Sequence, residues 1–316
     1  MPSTLAASTP SIILGTNVIG WNVDEAASHK ILDAAVERSL TAIDTADVYS
    51  HWAPGNTGGE SETIIGKWMK ARGNRFAVQI HTKGGAPGAP GELAGGNATA
   101  AYLTKAVDAS LKRLGTDYLD LYYLHYDDKV TPHEETLRAF ERMIAAGKVK
   151  AIGASNYDAG RLMQVMETSA RENLPRYSVL QTHFNMADRA VFEKDLKAVC
   201  DRHELGVMAY FALAEGFLTG KYRNPDDAAM SRARGGSATE YLNPRGLRIL
   251  SALDAVAAAH GGTCAQVALA WLIAQPRVKA IASATSIAQL DDLAAAMALK
   301  LTPTDMATLD DASREG

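Results

Sequence analysis

The feature that most constrains this chain is a rhythm. Short apolar runs recur eight times, at 11–15, 42–44, 76–82, 119–125, 150–153, 178–182, 207–210 and 279–282, and most are separated by stretches of helical spacing. In 24–39, for example, an acidic start is followed by Ile31, Leu32, Ala35 and Val36, which share one face of a helix. Further helices are expected at 60–71, 98–114, 134–146, 159–172, 192–203 and 263–274. Strands as uniformly apolar as 207–209 suit a sheet covered on both faces. Eight strands alternating with helices describe an α/β chain closed into a (β/α)8 TIM barrel, and 316 residues with 47% apolar content suffice for one such barrel plus insertions. The expectation is a single barrel domain over 1–316, disordered at 1–10, with extended loops at its C-terminal face.

That face is where a parallel barrel builds its site. Four polar side chains stand at or just past strand ends: Asp44, Tyr49 five residues later, Lys83 and His125. If they converge, an acid, a phenol, an ammonium and an imidazole make a proton-transfer device rather than a metal cage. A tyrosine of ordinary pKa, about 10, exchanges protons poorly near neutrality. A lysine cation beside it favours the phenolate and lowers that value, while a buried carboxylate holds the lysine charged. Each residue alone has a plainer reading. Asp44 could cap a turn, Tyr49 could bury its ring and keep its hydroxyl wet, and His125 could be a satisfied core histidine. Lys83 could be a solvated cation or the Schiff-base nucleophile of a barrel lyase. The remaining histidines lack short metal-ligand spacing, so no metal is expected.

In order and spacing the quartet resembles the aldo-keto reductases, and the resemblance runs over most of the chain. The segment Thr41-Ala42-Ile43-Asp44-Thr45-Ala46 looks like the family's early signature, with Tyr49 at the place of its catalytic tyrosine. Ala151-Ile152-Gly153-Ala154-Ser155-Asn156-Tyr157 resembles the segment that grips the nicotinamide carboxamide, and Gln181 falls where a second such contact is usual. Tyr210 is similar to the ring that stacks on the nicotinamide, and Phe211, Leu213, Gly216 and Lys221 belong to the loop that follows, over the pyrophosphate. Ser283, Thr285, Gln289 and Asp292 resemble the adenosine-binding end, and Gly15 and Thr16 are placed with the cofactor too. The resemblance implies reversible hydride transfer between NAD(P)H and an aldehyde or ketone. Tyr49 would donate the proton, Lys83 and His125 would assist, and Asp44 would fix Lys83. NADP(H) is the family default. Trp21, Trp52 and Tyr126 are the expected substrate contacts. Because the family includes potassium-channel beta subunits, a non-catalytic nicotinamide-binding partner is an alternative, as is the Lys83 lyase.

The chain departs from the family pattern in two places. Tyr126-Asp127-Asp128 follows His125 where a Pro-Asp pair is usual, which puts the loop's shape in question. The stretch from Ser283 to Gln289 lacks the Arg or Lys that commonly holds a 2′-phosphate, so NAD(H) is a serious alternative. No Gly-x-Gly-x-x-Gly opens a helix after a strand, which argues against a doubly wound dinucleotide domain.

A formal charge of −4 without long like-charge runs gives no electrostatic case for nucleic acid or an anionic membrane. No segment is long and apolar enough to span a bilayer. The start of the chain lacks a basic stretch followed by an apolar one. Cys200 and Cys264 read as reduced thiols of a cytoplasmic protein. Loops are expected at 51–59, 84–97 and 223–246, the last as a mobile flap over the cofactor or substrate.

Overall fold

The computed structural model describes residues 7–87, 97–224, 226–227 and 239–314. Eight parallel strands close on themselves in sequence order, each hydrogen-bonded to the next and the eighth to the first, which is a (β/α)8 barrel. The strands are β1 (Ile12–Gly15), β2 (Ala42–Asp44), β3 (Gln79–Gly84) and β4 (Leu121–Leu124), then β5 (Ile152–Ser155), β6 (Val179–His183), β7 (Gly206–Tyr210) and β8 (Val278–Ala282). Around them lie α1 (Glu25–Glu37), α2 (Glu60–Arg72), α3 (Ala100–Leu114), α4 (His133–Ala145), α5 (Ala159–Arg171), α6 (Arg189–Glu193) and α7 (Leu196–Arg202). The last four helices are α8 (Pro244–His260), α9 (Cys264–Ile273), α10 (Ile287–Ala298) and α11 (Pro303–Ser313).

Local chemistry explains the helices. In α3, Tyr102, Leu103, Ala106, Val107, Ser110 and Leu114 share the buried face at helical spacing. Thr99 accepts from the Tyr102 N–H at the start, and Gly115, at φ 62°, turns the chain out at the end. Strand alternation then divides the core in two. Ile13, Ala42, Leu121, Tyr123, Val179, Met208 and Ile281 fill the barrel interior, while the larger apolar cluster lies between strands and helices. The interior admits little error: a Cβ on Gly153 would lie 2.7 Å from Cδ1 of Tyr123.

Several boundaries differ from expectation. The strand read from Phe76 starts at Gln79, because 75–77 is a 3-10 turn that leaves Phe76 90% exposed. Arg75 holds that turn through the carbonyls of Val78 and Tyr118 and the Asp120 carboxylate, so tertiary bonds override a strand-favouring composition. The helix read over 192–203 breaks into α6 and α7 at Asp195. Helices α8, α10 and α11 were not anticipated. Thr9, expected within a disordered start, is buried with its hydroxyl on Gln79 Oε1 at 2.8 Å. Residues 88–96 of the 84–97 loop and 225 and 228–238 of the expected 223–246 flap lie outside the described residues, and 244–246 of that flap open helix α8. Among the described residues no single helix is long and apolar enough to cross a membrane, and no group of three or more His, Cys, Asp or Glu is placed to hold a metal.

Candidate active site

Counting two residues onward from interior positions on five strands gives the polar layer above them. The apolar Ala42 leads to Asp44, Tyr123 to His125, Val179 to Gln181 and Met208 to Tyr210, and the buried His81 leads to Lys83. The strand period therefore brings side chains distant in sequence onto one floor. Lys83 Nζ donates to Asp44 Oδ1 at 2.6 Å, to the Thr45 carbonyl at 2.8 Å and to the Tyr49 hydroxyl at 2.9 Å. These are all three protons of an ammonium. Its charge also lies 4.5 Å from the centre of the Tyr49 ring. The second oxygen of Asp44 accepts from Gln181 Nε2 at 2.8 Å, so β2, β3 and β6 converge on one carboxylate. Asp44 and Lys83 are fully buried, whereas Tyr49 is part-exposed, on the wall of a cavity of about 1170 Å³.

The electrostatics differ from the expected lowering of the tyrosine. Burial first, and then the Asp44 carboxylate, push the Tyr49 phenol well above its ordinary pKa. Burial lowers the Lys83 pKa, opposed by Asp44. The imidazole of His125 is held far below its ordinary pKa by burial and by the Lys83 charge, so the ring is neutral, and its Nδ1 has no partner. Its ring stacks on Tyr126 at 5.1 Å and meets Tyr49 edge-on at 6.3 Å. The two acids that replace the Pro-Asp pair fold the loop. Asp127 takes a fork from Arg161 at 2.5 and 2.8 Å, and Asp128 accepts from the N–H groups of Ala98, Val130 and Thr131 and from the Thr131 hydroxyl.

Opposite Tyr49, the Tyr210 hydroxyl donates to Asn156 Oδ1 at 2.8 Å. Asn156, in the left-handed region at φ 54°, donates its amide to the His125 carbonyl and the Ser155 hydroxyl. Ser155, Asn156, Gln181 and Tyr210 all line the cavity. Beyond them Phe211, Leu213, Gly216 and Lys221 line one arm, in a loop where Phe211, Ala214, Glu215 and Gly216 all have positive φ. At the far end stand Ser283, Thr285, Gln289 and Asp292. The polar groups there are already hydrogen-bonded to protein partners. Gln289 Oε1 accepts from the Thr285 N–H at 2.7 Å, Ser283 donates to Asn17, and Asp292 accepts from Gln266.

Two placements need correction. Gly15 lines the cavity but Thr16 does not. The Thr16 side chain is fully buried and donates to the Asp44 carbonyl at 2.8 Å, which makes it a brace behind the floor. Trp52 and Tyr126 line the wall, whereas Trp21 lies behind Trp52, edge-on at 5.8 Å. Sequence reasoning missed Asn17, Asn22 and His51. The two asparagines follow the end of β1, so the strand-end rule that found Asp44 would have found them.

The comparisons agree with this architecture. The model of the Aldo/keto reductase family matches residues 11–314. The chain is 32% identical over 270 residues to the aldo-keto reductase yakc [NADP(+)] of Schizosaccharomyces pombe, covering 83% of this chain and 75% of that protein. It is 31% identical over 310 residues to the methylglyoxal reductase YeaE of Escherichia coli, covering 96% and 91%. It is 31% identical over 266 residues to the L-glyceraldehyde 3-phosphate reductase of Escherichia coli, covering 82% and 75%. A closed eight-stranded barrel, a buried Asp44-Lys83 pair bonded to the part-exposed Tyr49 at its C-terminal face and a family match over nearly the whole chain lead to one conclusion: the chain belongs to the aldo/keto reductase family.

Proposed function

We propose that this chain, as one barrel domain, is a cytoplasmic NAD(P)H-dependent reductase that reversibly converts an aldehyde or ketone to an alcohol. The observation that carries the reading is the Tyr49 hydroxyl on the cavity wall, 2.9 Å from a buried, carboxylate-held Lys83. Bound nicotinamide would supply the hydride. The cavity offers it the part-exposed Tyr210 ring, the polar trio Ser155, Asn156 and Gln181, and a loop of positive φ that turns backbone toward a ligand. The relative named for NADP(+) favours NADP(H). The absence of Arg or Lys among the described wall residues of 281–293 keeps NAD(H) in competition.

Tyr49 acts as the acid. Its raised pKa keeps the phenol protonated through the neutral range, and a developing alkoxide is basic enough to take that proton. Lys83 stabilises the phenolate left behind, and Asp44 keeps Lys83 in place. The neutral His125 ring offers the same oxygen a second hydrogen bond. In the oxidative direction the phenolate is the active form, so alcohol oxidation gains as pH rises.

Two features count against the other readings. Lys83 is fully buried with its three protons engaged, which leaves it no lone pair to attack a carbonyl. An intact proton-transfer cluster is unneeded in a purely binding subunit. The test is a carbonyl panel with NADPH and with NADH, alcohol formed being matched to nicotinamide oxidised. Borohydride treatment with a keto substrate should leave Lys83 unmodified. No turnover with either cofactor, or trapping at Lys83, would overturn the reading.

A further inference from the structure

On the proposed reading one face of the Tyr210 ring receives the nicotinamide, and the other face already has an occupant. His183 pairs in register with Tyr210 across β6 and β7, and its imidazole stacks on that ring at 5.6 Å with 24° between the planes. Tyr210 lines the cavity and His183 does not, so the imidazole covers the ring from behind. Phe211 closes the corner, edge-on to both rings at 5.2 Å. With its hydroxyl tied to Asn156, Tyr210 is held at its edge and at its back.

The imidazole is in turn fixed by a charge. Its Nε2 lies 3.0 Å from Asp188 Oδ2, the oxygen that also accepts from Asn185 Nδ2 at 2.9 Å and from the Tyr241 hydroxyl at 2.8 Å. Burial alone would raise the Asp188 carboxyl, but these three donors hold it below its ordinary pKa, so it is anionic. A carboxylate only accepts, so Nε2 of His183 carries the proton. Asn185 is fully buried, accepts from the N–H groups of Ala187 and Asp188, and donates to the Phe211 carbonyl, which locks the turn that carries the anion onto the end of β7.

The proton transfer at Tyr49 uses none of these groups. What they bear on is the cofactor's change of charge. Hydride transfer interconverts a neutral dihydronicotinamide and a cationic nicotinamide, and a cation is drawn to a tyrosine face and to a nearby anion more strongly than a neutral ring is. We propose, resting on the reductase reading above, that His183 is a positioning residue for the nicotinamide stack, and that the Asp188 anion behind it adds affinity for the oxidised, cationic cofactor that the reduced one does not share. His183 keeps the Tyr210 face in place for both forms. Asp188 supplies the part that tells them apart.

The test is the pair of dissociation constants of the whole chain for the oxidised and the reduced form of whichever cofactor, NADP(H) or NAD(H), binds more tightly, measured by calorimetry at fixed salt and pH. Asp188→Asn keeps the shape and removes the charge. It should weaken the oxidised form about threefold to tenfold more than the reduced form, the span expected of cation-π attraction at a part-buried ring. His183→Ala removes the backing and should weaken both forms about threefold or more, and His183→Phe, which restores a ring, should recover most of that loss. Loosening of the fold alone would not change the ratio of two constants measured on one variant. An unmoved ratio in Asp188→Asn, or wild-type affinity for both forms in His183→Ala, would overturn the inference while leaving the reductase reading standing. Should either variant fail to fold, the other decides alone. Absence of any nicotinamide binding by the wild-type chain would remove both.

Discussion

The two ends of the cavity are built on opposite plans. At the Tyr49 end, Asp44, Lys83 and Gln181 project from strands, are buried, and bond to one another across the barrel over 39 and 137 residues of sequence. At the Ser283 to Asp292 end, Thr285 and Gln289 are exposed and bond within four residues. Low dielectric and rigid strands make each charge at the first end strongly felt, while water screens the second. The comparison teaches that, on the proposed reading, the proton-transfer chemistry is built into the barrel's frame, whereas the end proposed to set cofactor preference is made of side chains open to solvent.

The sharpest way to break that comparison is Tyr49→Phe. Removing the acid should reduce kcat by ~10²–10⁴-fold and leave the dissociation constant for NADPH within about twofold, because the hydroxyl acts on substrate oxygen. A variant with near wild-type kcat would show that the proton comes from elsewhere. Lys83→Met comes next. It leaves Asp44 buried without its cation, which should destabilise the fold by about 3–5 kcal/mol in chemical denaturation. It should also move the alkaline limb of the reduction profile upward, since the phenol then loses its stabilising charge. An unmoved limb would uncouple Lys83 from Tyr49.

His81 tests the floor itself. It pairs in register with Asp44, is fully buried, and burial pushes its ring down to about 4, so it is folded in as the neutral form. The unfolded chain binds the extra proton below its ordinary value near 6.5. Stability from this group is therefore full above pH 6.5 and lost as pH falls from there to 4, about 3 kcal/mol in all. Urea midpoints across that window should show the slope, and His81→Gln should flatten it. The smallest effect belongs to the far end. Gln289→Arg should tighten NADPH relative to NADH by about 1.5–3 kcal/mol if the guanidinium reaches the 2′-phosphate, less the loss of the Gln289 bond to Thr285. Dissociation constants for both cofactors at fixed salt decide it. A wild-type preference for NADPH of about a hundredfold or more would mean that another basic residue holds the phosphate.

The legible parts were those governed by short-range periodicity. Eight apolar runs announced eight strands, and the strand-end rule picked out Asp44, Tyr49, Lys83 and His125 before any contact was known. Less legible were residues whose role depends on what lies behind them. Thr16 stands beside Gly15 in sequence, yet it points into the wall and braces Asp44. Phe76 has a strand former's side chain, but Arg75 ties its segment into a turn. Helix α8 did carry its signals, Asn243 as cap and Pro244 at the first position, hidden behind a polar stretch read as loop.

By itself the sequence determined the barrel and the identity of its strand-end groups, because burial on a pleated strand imposes a period of two that composition reveals directly. Only the tertiary structure decided how those groups behave. The sign of the Tyr49 shift turned on burial and the Asp44 carboxylate, both of which raise it, and the pairing of Asp127 on an arginine 34 residues away. Desolvation and long-range pairing depend on distances in space, which no local pattern of residues records.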